Sequence, residues 1–169
     1  MTDKLVTVRS QDDAHAFYAA MYMTGEQYSS IIGGRNIGDA DFVNVIPSGQ
    51  FLDRYVFFAD YSFRETTLTI VRKKTETGFA PVELDCAGEL TEFQPLGANG
   101  DYEYTWVTLT KDRTPQSFPK GTCNNGRNEA RSNGPFALYV WGMDDAASYG
   151  YAGGAGLRAL NPITPQIPK

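Results

Sequence analysis

The segment GPFALYVWGMDDAASYGYAGGAGLR, residues 134–158, constrains what this chain can fold into more than any other stretch. Large side chains alternate along it, a short run of acid and alanine interrupts them, and aromatics then alternate with glycine. A period of two puts successive side chains on opposite faces of an extended strand, so Phe136, Leu138 and Val140 oppose Tyr139 and Trp141. The predicted local structure is strand, tight loop, strand. Asp144 and Asp145 fall in the loop, and Tyr149 and Tyr151 share one face of the returning strand.

The same period recurs upstream. Residues 4–10, 41–46, 50–60, 66–74 and 80–86 read as strands, with Pro47 to Gly49 as a turn. Asn99-Gly100 is a type I′ hairpin signal, after which Tyr102, Tyr104, Trp106 and Thr108 take one face and Val107 and Leu109 the other. Residues 10–25 carry helical spacing and strand alternation together; strand is preferred, because a lone helix would lack an apolar partner. Residues 26–41 read as loop, 114–126 as a proline-punctuated connection, 127–132 as a polar, solvent-exposed strand, and Asn133-Gly134-Pro135 as a turn. Ten Tyr, ten Phe, 17 Gly and 9 Pro are the usage of strands and turns. The expected fold is all-β, an antiparallel β-sandwich of about eight to ten strands. Residues 1–161 form a single domain in this reading, with the proline-rich 162–169 as a tail or linker.

A net charge of −5 opposes binding to phosphate backbones, so no nucleic-acid partner is expected. No apolar run approaches the ~20 residues of a spanning helix, and the N-terminus lacks a signal-peptide pattern. The chain is then either cytoplasmic or a mature domain of a longer exported protein, with Met1 an expression start in the second case. Cys86 and Cys123 lack metal-ligand spacing and are either two buried thiols or one disulfide.

The segments GQFLDRYVFFADYSFRETTLTIVR, VELDC, YEYTWVTL and PFALYVWGMDDAASYGYAGGAGLR resemble the IgGFc-binding protein N-terminal domain family over about residues 7–162. The family pattern is a cysteine, an N-G turn, a polar strand, P-F-G-V-x-V-x-G, a variable loop, and S-Y-x-Y-P-A-G. Here Cys123, Asn125-Gly126, Pro135-Phe136, Trp141-Gly142 and Ser148-Tyr149-Gly150-Tyr151 fill it, while Ala137 and Ala152 stand where glycine and proline are usual. The resemblance implies an extracellular or cell-surface β domain of adhesive or binding character, of the kind found in animal mucus proteins and bacterial surface proteins. It also implies a Cys86–Cys123 disulfide and therefore an oxidising compartment. Immunoglobulin recognition belongs to certain animal members, and no residue here identifies an Fc ligand.

Little in the chain suggests catalysis. His15, the single histidine, lies among apolar residues and reads as structural. Asp53, Asp60, Glu65, Asp101 and Glu103 lie in or beside strands; a pair of them at the right separation could hydrolyse a glycoside, but solvated strand-face acids are the simpler reading. Asp39 with Asp41, or Asp144 with Asp145, could give calcium two ligands each, without the fixed rhythm of a calcium loop. No catalytic residue, metal or cofactor is expected. The candidate ligand-binding residues are Asp144, Asp145, Tyr149 and Tyr151, the tyrosines stacking and the acids accepting hydrogen bonds. Against this stands packing of both tyrosines on the neighbouring sheet. The expected function is recognition or adhesion in a bacterial surface protein, through a protein or glycan ligand. The alternatives are a carbohydrate-active enzyme or carbohydrate-binding module, and a structural fibre segment that trimerises, so a homo-oligomer stays open.

Overall fold

The computed structural model describes residues 5–12, 14–23, 25, 37–157 and 160. The proline-rich tail 162–169 and most of the loop predicted at 26–41 lie outside the described residues. What is described is all-β and antiparallel, with one 3-10 turn at Ser48–Gln50. The strands are β1 (Ala20–Met23), β2 (Asp41–Asn44), β3 (Leu52–Ala59), β4 (Glu65–Lys73), β5 (Val82–Leu84), β6 (Gly88–Glu89), β7 (Gln94–Leu96), β8 (Tyr102–Lys111), β9 (Thr114–Ser117), β10 (Thr122–Cys123), β11 (Gly126–Asp144) and β12 (Ala147–Ala152).

The 19-residue β11 organises the sandwich. Its first half pairs with β3 on one edge and β5 on the other; its second half pairs with β4 and β12. A register shift between Arg131 and Phe136 separates the halves, so one strand turns the corner between two layers. The layers are β3–β11–β5–β6 and β12–β11–β4–β8, with β7 and β9 on the far edge of β8 and β10 beyond β9. Between them lie Tyr55 and Phe57 from β3, Leu68 and Ile70 from β4, Val107 and Leu109 from β8, and Ala130, Phe136, Leu138 and Val140 from β11. The hairpin β1–β2 sets Val43 against the outer face of the second layer, where Ala137 and Tyr139 are buried and Trp141 packs beside them. Both faces of 136–141 are thus covered, which is why both sets of alternating side chains are large.

Five local expectations need correction. Residues 5–10 form no strand, and Val6 and Val8 are exposed, since alternation without a pairing edge stabilises nothing. In 10–25 the strand is confined to Ala20–Met23, which pairs with β2. Asn133-Gly134-Pro135 does not reverse the chain; it bends a continuous β11 where its neighbours change. Asn99-Gly100 sits in a five-residue loop, 97–101, in which Gly97 and Gly100 take positive φ and Asn99 does not. A two-residue turn with positive φ at both positions is Asp112-Arg113, between β8 and β9; it opens the stretch 114–126, expected as a connection, in which β9 and β10 pair with one another.

The disulfide joins Cys86, in the turn after β5, to Cys123 in β10. It therefore ties the first layer to the far end of the second.

Candidate functional site

The β11–β12 hairpin is built as its sequence suggested. Asp144 pairs with Ala147, which leaves Asp145-Ala146 as the turn, and Ala146 takes a positive φ of 48°. Glycine faces an aromatic ring on each side of the ribbon: Gly142 opposite Tyr149 inward, Gly150 opposite Trp141 outward. A Cβ at Gly142 would fall inside the Tyr149 ring, and one at Gly150 would crowd both Trp141 and Val43. The glycines are there so that flat rings can lie across the facing strand.

Tyr149 and Tyr151 point into the gap between β12 and β3, the side wall of the sandwich. Their rings stack with centroids 6.2 Å apart, and Phe63 meets Tyr149 edge-on at 4.6 Å. The Tyr151 hydroxyl donates to the Phe58 carbonyl at 2.5 Å and accepts from the Phe58 amide at 3.0 Å; the Tyr149 hydroxyl accepts from the Asp60 amide at 3.0 Å. Burial raises the pKa of both phenols. Both tyrosines thus bond the free edge of β3, which would otherwise offer unpaired backbone groups to another chain.

The two acids lie at the end of the same hairpin among cations that sequence reading did not place. Arg113, in the β8–β9 turn, donates to Asp144 Oδ2 at 2.6 Å. Arg64, in the β3–β4 connection, donates to Asp145 Oδ1 at 3.0 Å and to Asp112 Oδ1 at 2.9 Å. Three connections far apart in sequence are so drawn together. Asp144 is mostly covered (16% exposed), whereas Asp145 is 78% and Arg113 59% exposed. Gly38 donates its amide to the Asp144 carbonyl, and the Ser148 hydroxyl donates to the Asp39 carbonyl, which brings the two acidic pairs near one another. Among the described residues no three His, Cys, Asp or Glu side chains group as a metal site would need.

Three other singled-out residues, Glu103, Asp60 and His15, have local partners. Glu103 is gripped by Arg72 at 2.6 and 2.9 Å, with the guanidinium lying 3.7 Å from the centre of the Phe93 ring. The Asp60 carboxyl accepts from the Ser62 hydroxyl and amide, which hold its pKa below the ordinary value. His15 is not in an apolar setting: it is exposed and bonds Asp12.

A second polar surface, not anticipated as a site, covers the outer face of the first layer. Alternation in RNEAR sends Asn128 and Ala130 into the core and Arg127, Glu129 and Arg131 outward. Beside them lie Arg54, Val56 and Phe58 on β3; toward β5, Arg127, Glu129 and Arg131 join Glu83, Asp85 and Lys120 in lining a shallow depression of about 290 Å³. The expected solvent-exposed strand at 127–132 is thus exposed on one face only, since Asn128 and Ala130 are buried; polar composition alone did not show that the other face meets the core.

An antiparallel sandwich whose layers share one strand, stapled by a disulfide and closed at its side wall by tyrosine hydroxyls, belongs among the stiff β domains of oxidising compartments. The chain is a member of the IgGFc binding protein family, which matches residues 1–142. The match takes in both cysteines, the arginine-bearing face and Trp141-Gly142, and ends before β12. No curated protein and no solved structure matches the chain. Family and disulfide together fit an extracellular location. Among the described residues no helix is long and apolar enough to cross a membrane.

Proposed function

We propose that this chain is an extracellular recognition domain that works by binding a protein partner, as a module of an adhesive bacterial surface protein. The observation that carries the reading is the Asp145 carboxylate, 78% exposed at the tip of a tight hairpin that Arg64 and Arg113 anchor to two neighbouring connections. A charged group held still before contact loses little freedom on binding, and this is what a recognition surface needs. Asp144, Asp145 and Arg113 make the contact in this reading, while Tyr149 and Tyr151 serve as the wall that holds the hairpin in place. Membership of a family described as an IgGFc binding protein supports a protein ligand. A glycan is the second ligand class, since carboxylates accept hydrogen bonds from sugar hydroxyls as readily as from amides. No reaction is assigned.

Surface plasmon resonance of the purified domain on immunoglobulin G Fc and on mucin, with a glycan array alongside, tests the reading. Saturable binding that Asp145→Ala or Arg113→Ala weakens about tenfold is expected, the effect of losing one charge-assisted contact. Binding unchanged in the double variant would remove the hairpin end as the site, and glycan turnover on incubation would replace recognition by catalysis.

A further inference from the structure

The outer face of the first layer carries an arrangement that the fold does not require. Arg54 on β3 and Arg131 on β11 stand directly opposite one another, and like charges in that position repel. Each leans away to a separate carboxylate: Arg54 to Glu129 at 2.8 Å, Arg131 to Glu83 at 2.8 Å, and Arg127 takes the other Glu129 oxygen at 2.9 Å. The acids sit lower than the cations. Glu129 is 19% exposed, whereas Arg54, Arg127 and Arg131 are 64%, 61% and 65% exposed. A guanidinium has five N–H donors, and these contacts occupy at most two of them on any of the three. A chain of net charge −5 therefore shows solvent a local field of arginine N–H groups.

Apolar surface adjoins it. Val56, opposite Glu129, is 52% exposed, and Phe58, opposite Arg127, is 54% exposed. Side chains on one face of a strand recur every ~6.7 Å, and an extended ligand repeats with the same spacing. An acid near Arg54 and Arg131, an apolar residue two positions on, and a second acid two further match the order along β11 and β3. The free edge of β3 is engaged at Phe58 and Asp60 by the Tyr151 and Tyr149 hydroxyls, so a ligand lies over the face and does not extend the sheet.

We propose that this face binds an extended acidic segment of a partner protein, with one carboxylate seated between Arg54 and Arg131 and an adjacent apolar side chain over Val56 and Phe58. The exposed apolar pair favours a peptide over a sulfated glycan, which has nothing to cover it. The overall negative charge disfavours long polyanions, which feel the whole molecule, more than a short segment that feels the arginines. The site is separate from the hairpin end and does not depend on it.

The probe is a fluorescein-labelled, serine-rich peptide carrying acid-x-leucine-x-acid, compared by anisotropy with versions bearing lysine for the acids or serine for the leucine. The acidic peptide should bind at low salt and the lysine peptide should not. Arg54→Ala and Arg131→Ala should each weaken binding about tenfold, the scale of one lost charge-assisted contact. Glu83→Gln frees Arg131 and should tighten it severalfold, an effect no loss of folding could mimic. The Asp144→Asn, Asp145→Asn double variant should bind the peptide like the wild type, which separates this site from the hairpin end. Equal binding of the acidic and lysine peptides, unchanged binding in the Arg54→Ala, Arg131→Ala double variant, or preference for heparin would overturn the proposal. So would a self-associating wild type whose association the same double variant abolishes, since a second copy would then be the occupant.

Discussion

Single residues at the corner of β11 show how much one atom can decide. Tyr55 is 2% exposed; its hydroxyl donates to the Phe136 carbonyl at 2.5 Å and accepts from the Leu52 amide at 3.0 Å, while its ring meets Phe136 edge-on at 4.8 Å. It ties β3 to the point where β11 changes layers. Tyr55→Phe leaves two backbone groups without their partner and should cost about 1–3 kcal/mol by urea unfolding. Burial pushes the Tyr55 pKa up from 10.0 to about 12, so the folded state holds a proton that the unfolded chain releases. Its contribution is complete below pH ~10 and is lost as pH rises toward 12, at up to about 1.4 kcal/mol per pH unit. Urea midpoints measured across that window should fall more steeply for wild type than for Tyr55→Phe. Some slope should persist in the variant, because burial also raises Tyr139, Tyr149 and Tyr151. At Gly142 the missing atom is a methyl group: Gly142→Ala puts a Cβ into the Tyr149 ring, and the displaced tyrosine would lose its bond to β3. A loss of about 1–3 kcal/mol is expected, with an altered aromatic near-UV signal. Gly78, whose Cβ would meet nothing, is a poor control because its φ is positive.

At the scale of elements, the edge of β3 is the vulnerable one. Its inner side is paired to β11 over residues 54–59, and its outer side is met at Phe58 and Asp60 by β12 tyrosine hydroxyls instead of by another strand. The Tyr149→Phe, Tyr151→Phe double variant keeps the rings and the packing but removes those bonds. It should lower stability by roughly 1–3 kcal/mol and make light scattering rise with protein concentration, as an open edge recruits other chains. Scattering that stays flat would show that the rings alone protect the edge. Legibility in the sequence follows the same division. The alternation in 136–141 and 102–109 was readable because each side chain's face follows from the period alone. What the period could not supply was partnership: Val6 and Val8 alternate with nothing to pair, and Asn133-Gly134-Pro135 has turn chemistry at a place where two sets of neighbouring strands hold the chain extended. The same gap hid Arg64 and Arg113, which reach the predicted acids from connections 81 and 31 residues away.

For the whole molecule, the two layers share β11 and a single covalent tie. Cys86 follows β5 at one side of the first layer, and Cys123 lies in β10, joined to the second layer only through β9 and β8. β10 has just two residues, and its ladder with β9 is correspondingly short, so backbone pairing alone holds this corner weakly. Cys123 is nevertheless fully buried in the common core, which places the bridge where the layers would first separate. Closing a loop with a sequence separation of 37 restricts the unfolded chain by about 4 kcal/mol on the chain-entropy model. Because β11 still joins the layers, reduction should not abolish the fold outright. The reduced protein is expected to unfold in urea at a lower midpoint, corresponding to a loss of about 2–4 kcal/mol, and hydrogen exchange should speed up first in 114–123 and 84–89 while 136–141 stays protected. Exchange that accelerates uniformly through β11 would show that the bridge supports the whole sandwich as one cooperative unit, and not the corner formed by β5, β6, β9 and β10.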